Sequence, residues 1–258
     1  MAGRVYLVGA GPGDPELLTL KAAKLLALSE VVLYDSLVSE AVLALVSPQA
    51  LLVNVGKRAG QKLLTQDEIN SLLASYAKAG KCVVRLKGGD PLLFGRAGEE
   101  MEALRRAGIE FEIVPGITAA AGAAAAARIS LTDRRVASQV LFTTFSRDGN
   151  ANWLNWAAIT PETTIAIYMP GTDYGQVADR LIEQGIPAEM PCVIVSHATR
   201  GTEQVRSTNL AALSQGGPLP APSLLLVGRV AGRDLEQWRG PVPPRLAAAA
   251  TEIHDVPI

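Results

Sequence analysis

The chain is poor in the residues that build disulfide frameworks and metal centres. It holds two cysteines and two histidines among 258 residues. Cys82 and Cys192 lack CxxC spacing, and each lies in an apolar run, which is typical of a reduced residue in a core. Two histidines are too few for a His-built zinc or iron site. The sequence therefore predicts neither a disulfide-stapled fold nor a zinc or iron enzyme.

An excess of charge of one sign and long hydrophobic runs are also missing. The formal net charge is −1 and the pI is about 6.2, whereas a general nucleic-acid binder would be basic. The uncharged stretches 113–127 and 207–228 are too short or broken by proline and glycine to span a membrane. No targeting segment is recognisable after Met1. We expect a cytoplasmic protein that binds neither nucleic acid nor membrane.

What is present is an alternation of short apolar runs with amphipathic helical patterns, in a chain that is 48% hydrophobic. This alternation predicts α/β units around a mostly parallel sheet. The predicted strands are Val5–Val8, Val31–Tyr34, Leu51–Val55, Cys82–Leu86, Phe111–Val114, Val140–Phe145, Thr164–Met169, Cys192–Val195 and Leu224–Val227. The predicted helices span about 15–28 (with Asp14 as N-cap), 65–80 (with a capping box at Thr65), 98–108, 119–127 and 173–184.

The sequence suggests two α/β domains. We place an N-terminal domain with a Gly-rich loop and catalytic residues at 1–118, a C-terminal domain at 119–240 and a loosely ordered tail at 241–258.

Glycines and charged residues cluster directly after the first five predicted strands. The five segments are Gly9–Asp14, Asp35, Gly56–Arg58, Lys87–Arg96 and Pro115–Thr118. In open α/β sheets, ligands bind beyond the carboxyl ends of the strands. A structural turn explains one such cluster but explains five less easily, so we interpret them as parts of one site.

The first of these loops resembles a dinucleotide-binding fingerprint only partly. Gly9, Gly11 and Gly13 are closely spaced, and Asp35 follows at about the distance of a ribose-binding acid. However, Asp14 occupies the position of the third fingerprint glycine, where its carboxylate would repel a pyrophosphate. Pro12 removes a backbone donor from the same loop. Asp14 is equally well explained as a helix N-cap.

The fourth loop and the pair Asp35 and Lys57 carry more specific chemistry. Gly88 and Gly89 allow close approach of backbone to a ligand, and the Asp90 carboxylate suits a cationic sulfonium or ammonium ligand. Asp35 and Lys57 follow neighbouring strands. They could form a salt bridge between two loops, or act as a base and an acid. The residues alone leave these two interpretations open.

Together these motifs closely resemble those of the uroporphyrinogen-III C-methyltransferases, in the tetrapyrrole methylase family. The matching segments are Val5–Pro15, Leu33–Asp35, Val55–Arg58, Val84–Pro91, Phe94–Arg96 and Val114–Ala119, and the resemblance extends over residues 4 to about 232. It implies two α/β domains in a homodimer, with S-adenosyl-L-methionine in the interdomain cleft. It also implies methylation of uroporphyrinogen III at C2 and C7, which gives precorrin-2 by way of precorrin-1 and releases S-adenosyl-L-homocysteine without a metal.

The resemblance assigns roles residue by residue. The implied donor-binding residues are Pro12, Gly88, Gly89, Asp90, Leu93, Thr118, Ala119, Met169 and Ala198. Asp35 becomes the proton acceptor and Lys57 the proton donor. Because the tetrapyrrole carries many carboxylates, local arginines are expected to pair with it. The substrate-binding assignments are Asp14, Arg58, Arg96, Arg128, Arg134 and Arg135.

The chain departs from the family pattern mainly where the tetrapyrrole is expected. The departures are Ala97, Ser130, Asp133, Phe145, Ser146 and Pro170. Asp133 either pairs with a neighbouring arginine and holds it in place, or the segment has left the substrate path; we favour pairing. A methylase of another precorrin or a one-methyl enzyme remains an alternative. A nicotinamide oxidoreductase is disfavoured by Asp14, and a non-catalytic S-adenosylmethionine-binding protein is disfavoured by Asp35 and Lys57.

Overall fold

The computed structural model describes residues 3–58, 61–62, 64–145 and 159–232, with the backbone alone at 57–58 and 61–62. The chain divides into two compact units, Met1–Gly122 and Ala123–Ile258. The tail predicted at 241–258 lies outside the described residues.

The first unit is an α/β layer structure. Its strands are β1 (Val5–Gly9), β2 (Val31–Tyr34), β3 (Leu51–Asn54), β4 (Lys57–Arg58), β5 (Gln61–Lys62), β6 (Val83–Lys87) and β7 (Phe111–Val114). Its helices are α1 (Leu20–Leu28), α2 (Glu40–Leu43), α3 (Gln66–Lys78) and α4 (Ala97–Arg106), and α5 (Ala119–Ala127) continues into the second unit.

The main sheet of this unit has the order β3-β2-β6-β1-β7, and every neighbouring pair is parallel. Helices cover both faces, so the inner strands β1, β2 and β6 are buried on both sides and are largely apolar. Val83 packs with Leu73 of α3 and Leu104 of α4, while Val84 packs on the opposite face with Leu26 of α1. Because all five strands run the same way, their five following loops leave the same edge of the sheet.

The helix that was expected from Pro15 to Leu28 is interrupted. A 3₁₀ turn occupies Pro15–Leu17, and α1 begins only at Leu20 with Thr19 as its N-cap. The Thr19 hydroxyl accepts a hydrogen bond from Ala22 N–H at 3.1 Å, which provides a second cap inside the predicted helix. Asp14 does cap the turn before it, because its carboxylate accepts from Glu16 N–H at 2.9 Å.

The second unit contains a mixed sheet. Its elements are β8 (Gln139–Thr144), β9 (Thr163–Tyr168), α6 (Tyr174–Glu183), β10 (Pro191–Ser196), β11 (Gln204–Asn209) and β12 (Ser223–Val227), followed by a 3₁₀ turn at Arg229–Ala231. The order is β11-β10-β12-β9-β8, and only β8 and β9 are parallel. The expectation of a mostly parallel sheet is therefore confirmed for the first unit and wrong for the second. The segment from β10 to β11 is too short for a helical crossover, which forces antiparallel pairing.

The predicted strand positions are accurate where the chain is apolar. All nine predicted strands are present, and none differs by more than one residue at either end. Three strands were missed, the two-residue strands β4 and β5 and the polar strand β11. β11 reads Gln-Val-Arg-Ser-Thr-Asn and is the edge strand of its sheet, with no residue fully buried. The capping box at Thr65 is also confirmed, since Thr65 and Glu68 exchange hydrogen bonds between side chain and backbone.

Three loops of the first unit pack backbone against backbone beyond the carboxyl ends of the strands. A Cβ built on Gly9 would lie 2.6 Å from Gly116 Cα and 2.7 Å from the carbonyl oxygen of Gly89. A Cβ on Gly116 would lie 2.4 Å from that same oxygen. These contacts are possible only without side chains, so the glycines set how closely the loops after β1, β6 and β7 approach.

We predict that Gly9→Ala destabilises the protein by about 1–3 kcal/mol, because the new methyl group must push two backbone segments apart. Gly98→Ala is the matched control, since a Cβ there meets nothing within 4 Å. It lies inside α4, so it should be neutral or stabilise by about 0.5–1 kcal/mol. Urea unfolding of both variants measures the difference. Equal midpoints for the two variants would contradict this account of the loop packing.

Candidate active site

The loops after β1 and β6 are held together by reciprocal backbone hydrogen bonds. Gly11 N–H donates to the Gly89 carbonyl at 3.2 Å, and Gly89 N–H donates to the Gly11 carbonyl at 2.8 Å. Both glycines have φ of +68°, a conformation that residues with a side chain rarely adopt. Ala10 N–H adds a bond of 2.7 Å to the carbonyl of Lys87. The predicted donor-binding segments around Pro12 and Gly88–Asp90 therefore form one rigid, side-chain-poor surface.

The Asp90 carboxylate braces this surface against the loop after β7. Its Oδ1 accepts from Leu92 N–H at 2.9 Å, and its Oδ2 accepts from Gly116 N–H at 2.9 Å. The sequence suggested only a ligand-facing charge here, so this structural role is an addition. Each carboxylate oxygen has two lone-pair sites, so the two backbone bonds leave acceptor capacity for a ligand.

Asp35 follows β2 and remains partly accessible, with 24% of its side chain exposed. Its Oδ1 accepts from Leu37 N–H at 3.0 Å. Its Oδ2 lies 3.9 Å from Nη2 of Arg85, a cation that the sequence reasoning did not consider as its partner. The side chain of Lys57 lies outside the described residues, so the expected juxtaposition of Asp35 and Lys57 stays a prediction.

Arg85 belongs to a buried charged group beneath Asp35. Its Nε donates to Oε1 of Glu100 at 2.9 Å, and Nζ of Lys87 donates to the same oxygen at 3.0 Å. The side chains of Arg85, Lys87 and Glu100 are no more than 5% exposed. Burial, and next the neighbouring Arg85 charge, lower the pKa of Lys87. The sequence signal that could have revealed this buried group was the presence of Arg85 and Lys87, two positions apart, in the otherwise apolar strand β6.

In the second unit, the predicted donor-binding residues Met169 and Ala198 follow β9 and β10. Both strands run antiparallel to β12, so both end at the same sheet edge. Met169 has φ of +51° and is 60% exposed. Ala198 lies between His197 and Thr199, which have φ of +49° and +65°. Non-glycine residues in this conformation are strained and concentrate at functional sites.

In the first unit, the predicted donor-binding residues Thr118 and Ala119 follow β7. A Cβ on Gly89 would lie 3.7 Å from Ala119 N and 3.9 Å from Thr118 Cα, in ordinary contact. Leu93 is half-buried in the turn that follows Asp90, and its N–H donates to the Asp90 carbonyl at 3.3 Å. The seven donor-binding assignments in this unit are therefore close in sequence to three neighbouring strand ends.

Within the described ranges, no group of three or more His, Cys, Asp or Glu side chains is arranged to hold a metal ion. No helix in those same ranges is long and apolar enough to cross a membrane.

The sequence pattern of the tetrapyrrole (corrin/porphyrin) methylases matches residues 4–214, which is most of the chain. The chain belongs to the tetrapyrrole methylase family. The family resemblance inferred from the motifs is thereby confirmed.

Named relatives agree with this assignment. The chain is 48% identical over 234 residues to a uroporphyrinogen-III C-methyltransferase of Paracoccus denitrificans, covering 89% of this chain and 82% of that protein. It is 48% identical over 237 residues to the chloroplastic S-adenosyl-L-methionine-dependent uroporphyrinogen III methyltransferase of Arabidopsis thaliana. That match covers 88% of this chain but only 63% of the plant protein.

A solved structure shares the fold. The uroporphyrin-III C-methyltransferase of Thermus thermophilus, complexed with S-adenosyl homocysteine, superposes with a TM-score of 0.74 at 38% identity. The match covers 88% of this chain and 93% of that chain. The two-domain α/β fold class predicted for this methylase is thus confirmed.

The predicted substrate-binding arginines of this methylase differ in their side-chain partners and exposure. Arg96 has φ of +56° and forms a two-pronged ion pair with Glu99, at 2.7 Å and 2.6 Å. Arg128, at the end of α5, has φ of +56° and is exposed, as is Arg134. The side chain of Arg58 lies outside the described residues.

Asp133 pairs with Arg135, as the first of the two readings of this segment required. Its carboxylate accepts from Arg135 Nε at 3.0 Å, from Nη2 at 2.8 Å and from the backbone N–H at 2.9 Å. These bonds, the side-chain ones first, lower the pKa of Asp133 to about 2. The pairing is therefore present above the ordinary carboxyl pKa of about 3.9 and is lost only as the pH falls towards 2.

The other departures from the family pattern have different surroundings. Phe145 is buried in the core of the second unit, with the Arg180 guanidinium 5.3 Å from its ring centre. Pro170 is buried directly after Met169. The Ser130 hydroxyl donates to the Thr132 carbonyl at 2.5 Å. Ser146 lies outside the described residues.

We predict that Asp90→Ala destabilises the fold by about 1–3 kcal/mol, because the backbone N–H groups of Leu92 and Gly116 lose a charged acceptor. Asp67→Ala is the control, since Asp67 is exposed in the first turn of α3. Its effect should lie within about 0.5 kcal/mol. Urea unfolding measures stability, and calorimetry with S-adenosyl-L-homocysteine measures ligand affinity. A stable Asp90→Ala protein with parental affinity would show that the brace neither orders the loop nor supports a donor site.

Proposed function

We propose that this tetrapyrrole methylase transfers methyl groups from two successive molecules of S-adenosyl-L-methionine to C2 and C7 of uroporphyrinogen III. The product would be precorrin-2, reached through precorrin-1. Support comes chiefly from one edge of the first sheet, where the rigid glycine-rich loops and the accessible Asp35 leave neighbouring parallel strands. The uroporphyrinogen names of the relatives at 48% identity support the choice of acceptor.

The residues proposed to bind the donor are those that the family resemblance assigns. In the first unit these are Pro12, Gly88, Gly89, Asp90, Leu93, Thr118 and Ala119, and in the second unit Met169 and Ala198. The fit of the first set rests on the bare backbone cradle at Gly11 and Gly89 and on the spare acceptor capacity of Asp90. When bound, S-adenosyl-L-methionine supplies an electrophilic methyl group on a cationic sulfur.

The protein's own groups would handle orientation and protons. The rigid loops would fix the acceptor carbon in line with the methyl group, which removes much of the entropic barrier. The Asp35 carboxylate would accept the proton released from the macrocycle, and the Lys57 ammonium would donate a proton during its rearrangement. Asp14, Arg58, Arg96, Arg128, Arg134 and Arg135 would contact the polar rim of the substrate. The homodimer and the cytoplasmic location also remain predictions.

A second candidate keeps the donor and changes the acceptor to another precorrin. The departures from the family pattern at Ser130 and Asp133 favour it, because they lie in the segment where the tetrapyrrole is expected. Incubating the purified chain with uroporphyrinogen III and methyl-labelled S-adenosyl-L-methionine separates the candidates. A mass gain of two methyl groups supports the proposal, and a gain of one indicates a one-methyl enzyme. No transfer despite binding of S-adenosyl-L-homocysteine would overturn uroporphyrinogen III as the acceptor.

We predict that Asp35→Asn lowers kcat by about 10²–10⁴-fold, because it keeps the shape of the side chain and removes the base. The dissociation constant for S-adenosyl-L-homocysteine should change little. Lys57→Met should lower kcat similarly and raise KM as well. Asp67→Asn, an exposed carboxylate, is the control. Turnover of Asp35→Asn within about threefold of the parent would reduce Asp35 to a structural ion-pair partner.

We predict that Asp133→Ala raises KM for uroporphyrinogen III by roughly two- to fivefold, the equivalent of one exposed ion pair, because Arg135 loses its anchor. Arg135→Ala should raise KM at least as much, and the double variant should be no worse than Arg135→Ala alone. The affinity for S-adenosyl-L-homocysteine should stay at the parental value. A KM for Asp133→Ala equal to or below the parent's would mean that the segment has left the substrate path.

A further inference from the structure

Three charged side chains share one face of the first sheet at the site edge. β2 and β6 are parallel neighbours with Leu33 opposite Arg85, so Asp35, two residues on, stands opposite Lys87. Side chains two residues apart point to the same face of a strand. Asp35, Arg85 and Lys87 are therefore on the face covered by α3 and α4, and α4 brings Glu100 onto it.

Exposure falls steeply from the outer to the inner members of this group. The side chain of Asp35 is 24% exposed, that of Arg85 5% and that of Glu100 0%. A ligand above the sheet edge can thus reach Asp35, whereas Arg85 lies underneath it. Only an indirect role is open to the buried members.

The guanidinium of Arg85 is fixed on several sides. Its Nε donates to Glu100 at 2.9 Å, and its Nη1 donates to the carbonyl oxygens of Leu33 at 3.4 Å and Leu86 at 3.1 Å. Nη2 is then directed towards Oδ2 of Asp35, 3.9 Å away. The orientation of Arg85 is set from within the core.

Lys87 completes the support of Glu100. Its Nζ donates to the same Oε1 that Arg85 binds, at 3.0 Å. Its stem passes the turn before α4, where a Cβ on Gly95 would lie 3.2 Å from Lys87 Cε. Glu100 Oε2 is buried and has no hydrogen-bond partner among the described residues. This group is not built for greatest stability, since apolar residues of similar volume are commonly at least as stable as a buried ion pair.

We propose that Arg85 is a positioning residue for Asp35 in the methyl-transfer reaction, and that Glu100 and Lys87 hold Arg85 in its pose. The inference rests on the proposed function for its kinetic consequences only. The buried residues hold the Asp35 carboxylate, which is the accessible carboxylate of this charged group, in place above the sheet. Arg85 itself does not touch the reacting atoms.

The first test is a kinetic double-mutant cycle. Arg85→Gln should lower kcat by about 10- to 100-fold through misplacement of Asp35, with KM and the affinity for S-adenosyl-L-homocysteine within about twofold of the parent. In an Asp35→Asn background the same change should have no further effect on kcat, because its target is gone. Arg85→Lys keeps the positive charge but loses the planar guanidinium, so it should recover part of the lost kcat. If Arg85→Gln does not fold, Arg85→Lys takes its place in the double-mutant cycle.

Arg106→Gln is the matched control, since Arg106 is exposed on α4 in an ion pair with Glu102. It should leave kcat unchanged. Equal losses from Arg85→Gln in the parental and Asp35→Asn backgrounds would overturn the proposal and reduce Arg85 to a structural residue. A loss confined to ligand affinity would overturn it as well.

A second readout does not depend on turnover. In protein labelled with ¹³C at the aspartate carboxyl groups, the Asp35 resonance is identified by its disappearance in Asp35→Asn. It should shift in Arg85→Gln and also in Glu100→Gln, which acts through Arg85, but not in Arg106→Gln. An Asp35 resonance unchanged in both Arg85→Gln and Glu100→Gln would overturn the positioning role. If the parent fails to methylate uroporphyrinogen III, the proposed function fails while this measurement still decides the inference.

Discussion

The candidate active site depends on the contact of three glycine backbones at the carboxyl ends of adjacent strands. Gly9, Gly89 and Gly116 approach so closely that a methyl group on Gly9 or Gly116 would come within 2.7 Å of backbone atoms. The loops after β1, β6 and β7 are therefore packed directly against one another. Asp90 adds a brace between the second and third of these loops, with one carboxylate oxygen for each of two backbone donors. A ligand meets a surface whose shape is settled before it binds, which lowers the entropic cost of binding.

Charge beneath this edge is arranged by the parallel sheet. Because β2 and β6 are neighbours in register, side chains at the ends of both strands face the same helices. Lys87 and Arg85 both donate to one carboxylate oxygen of Glu100, and Arg85 also extends towards Asp35. Burial of such a group costs desolvation energy that the ion pairs offset only when their geometry is good. The group is thus best understood as a means of fixing positions.

Sequence reasoning succeeded where one local property dominates. Continuous apolar runs placed the strands, the Thr65 capping box placed α3, and five glycine- or charge-rich segments marked the strand ends. It failed where a choice depended on competing local signals or on neighbours distant in the chain. Thr19 competes with Asp14 as an N-cap and divides one expected helix, while β11 is a polar edge strand with no apolar alternation. The direction of β10, β11 and β12 follows from pairing, which residue patterns alone do not encode.

The sequence by itself determined the family and the positions of the apolar strands, and it predicted residues that could carry the chemistry, because these depend on motifs and on short-range periodicity. Only the tertiary structure decided which side chains meet. Arg85 is 50 residues from Asp35 in the chain, and Glu100 is 15 residues beyond Arg85, yet the register of two strands and the packing of α4 bring them together. The sequence left open whether Asp133 pairs with a neighbouring arginine, and its three hydrogen bonds to Arg135 show that it does. Side-chain pairing depends on the paths of strands and helices through space, and that information becomes available only once the chain is folded.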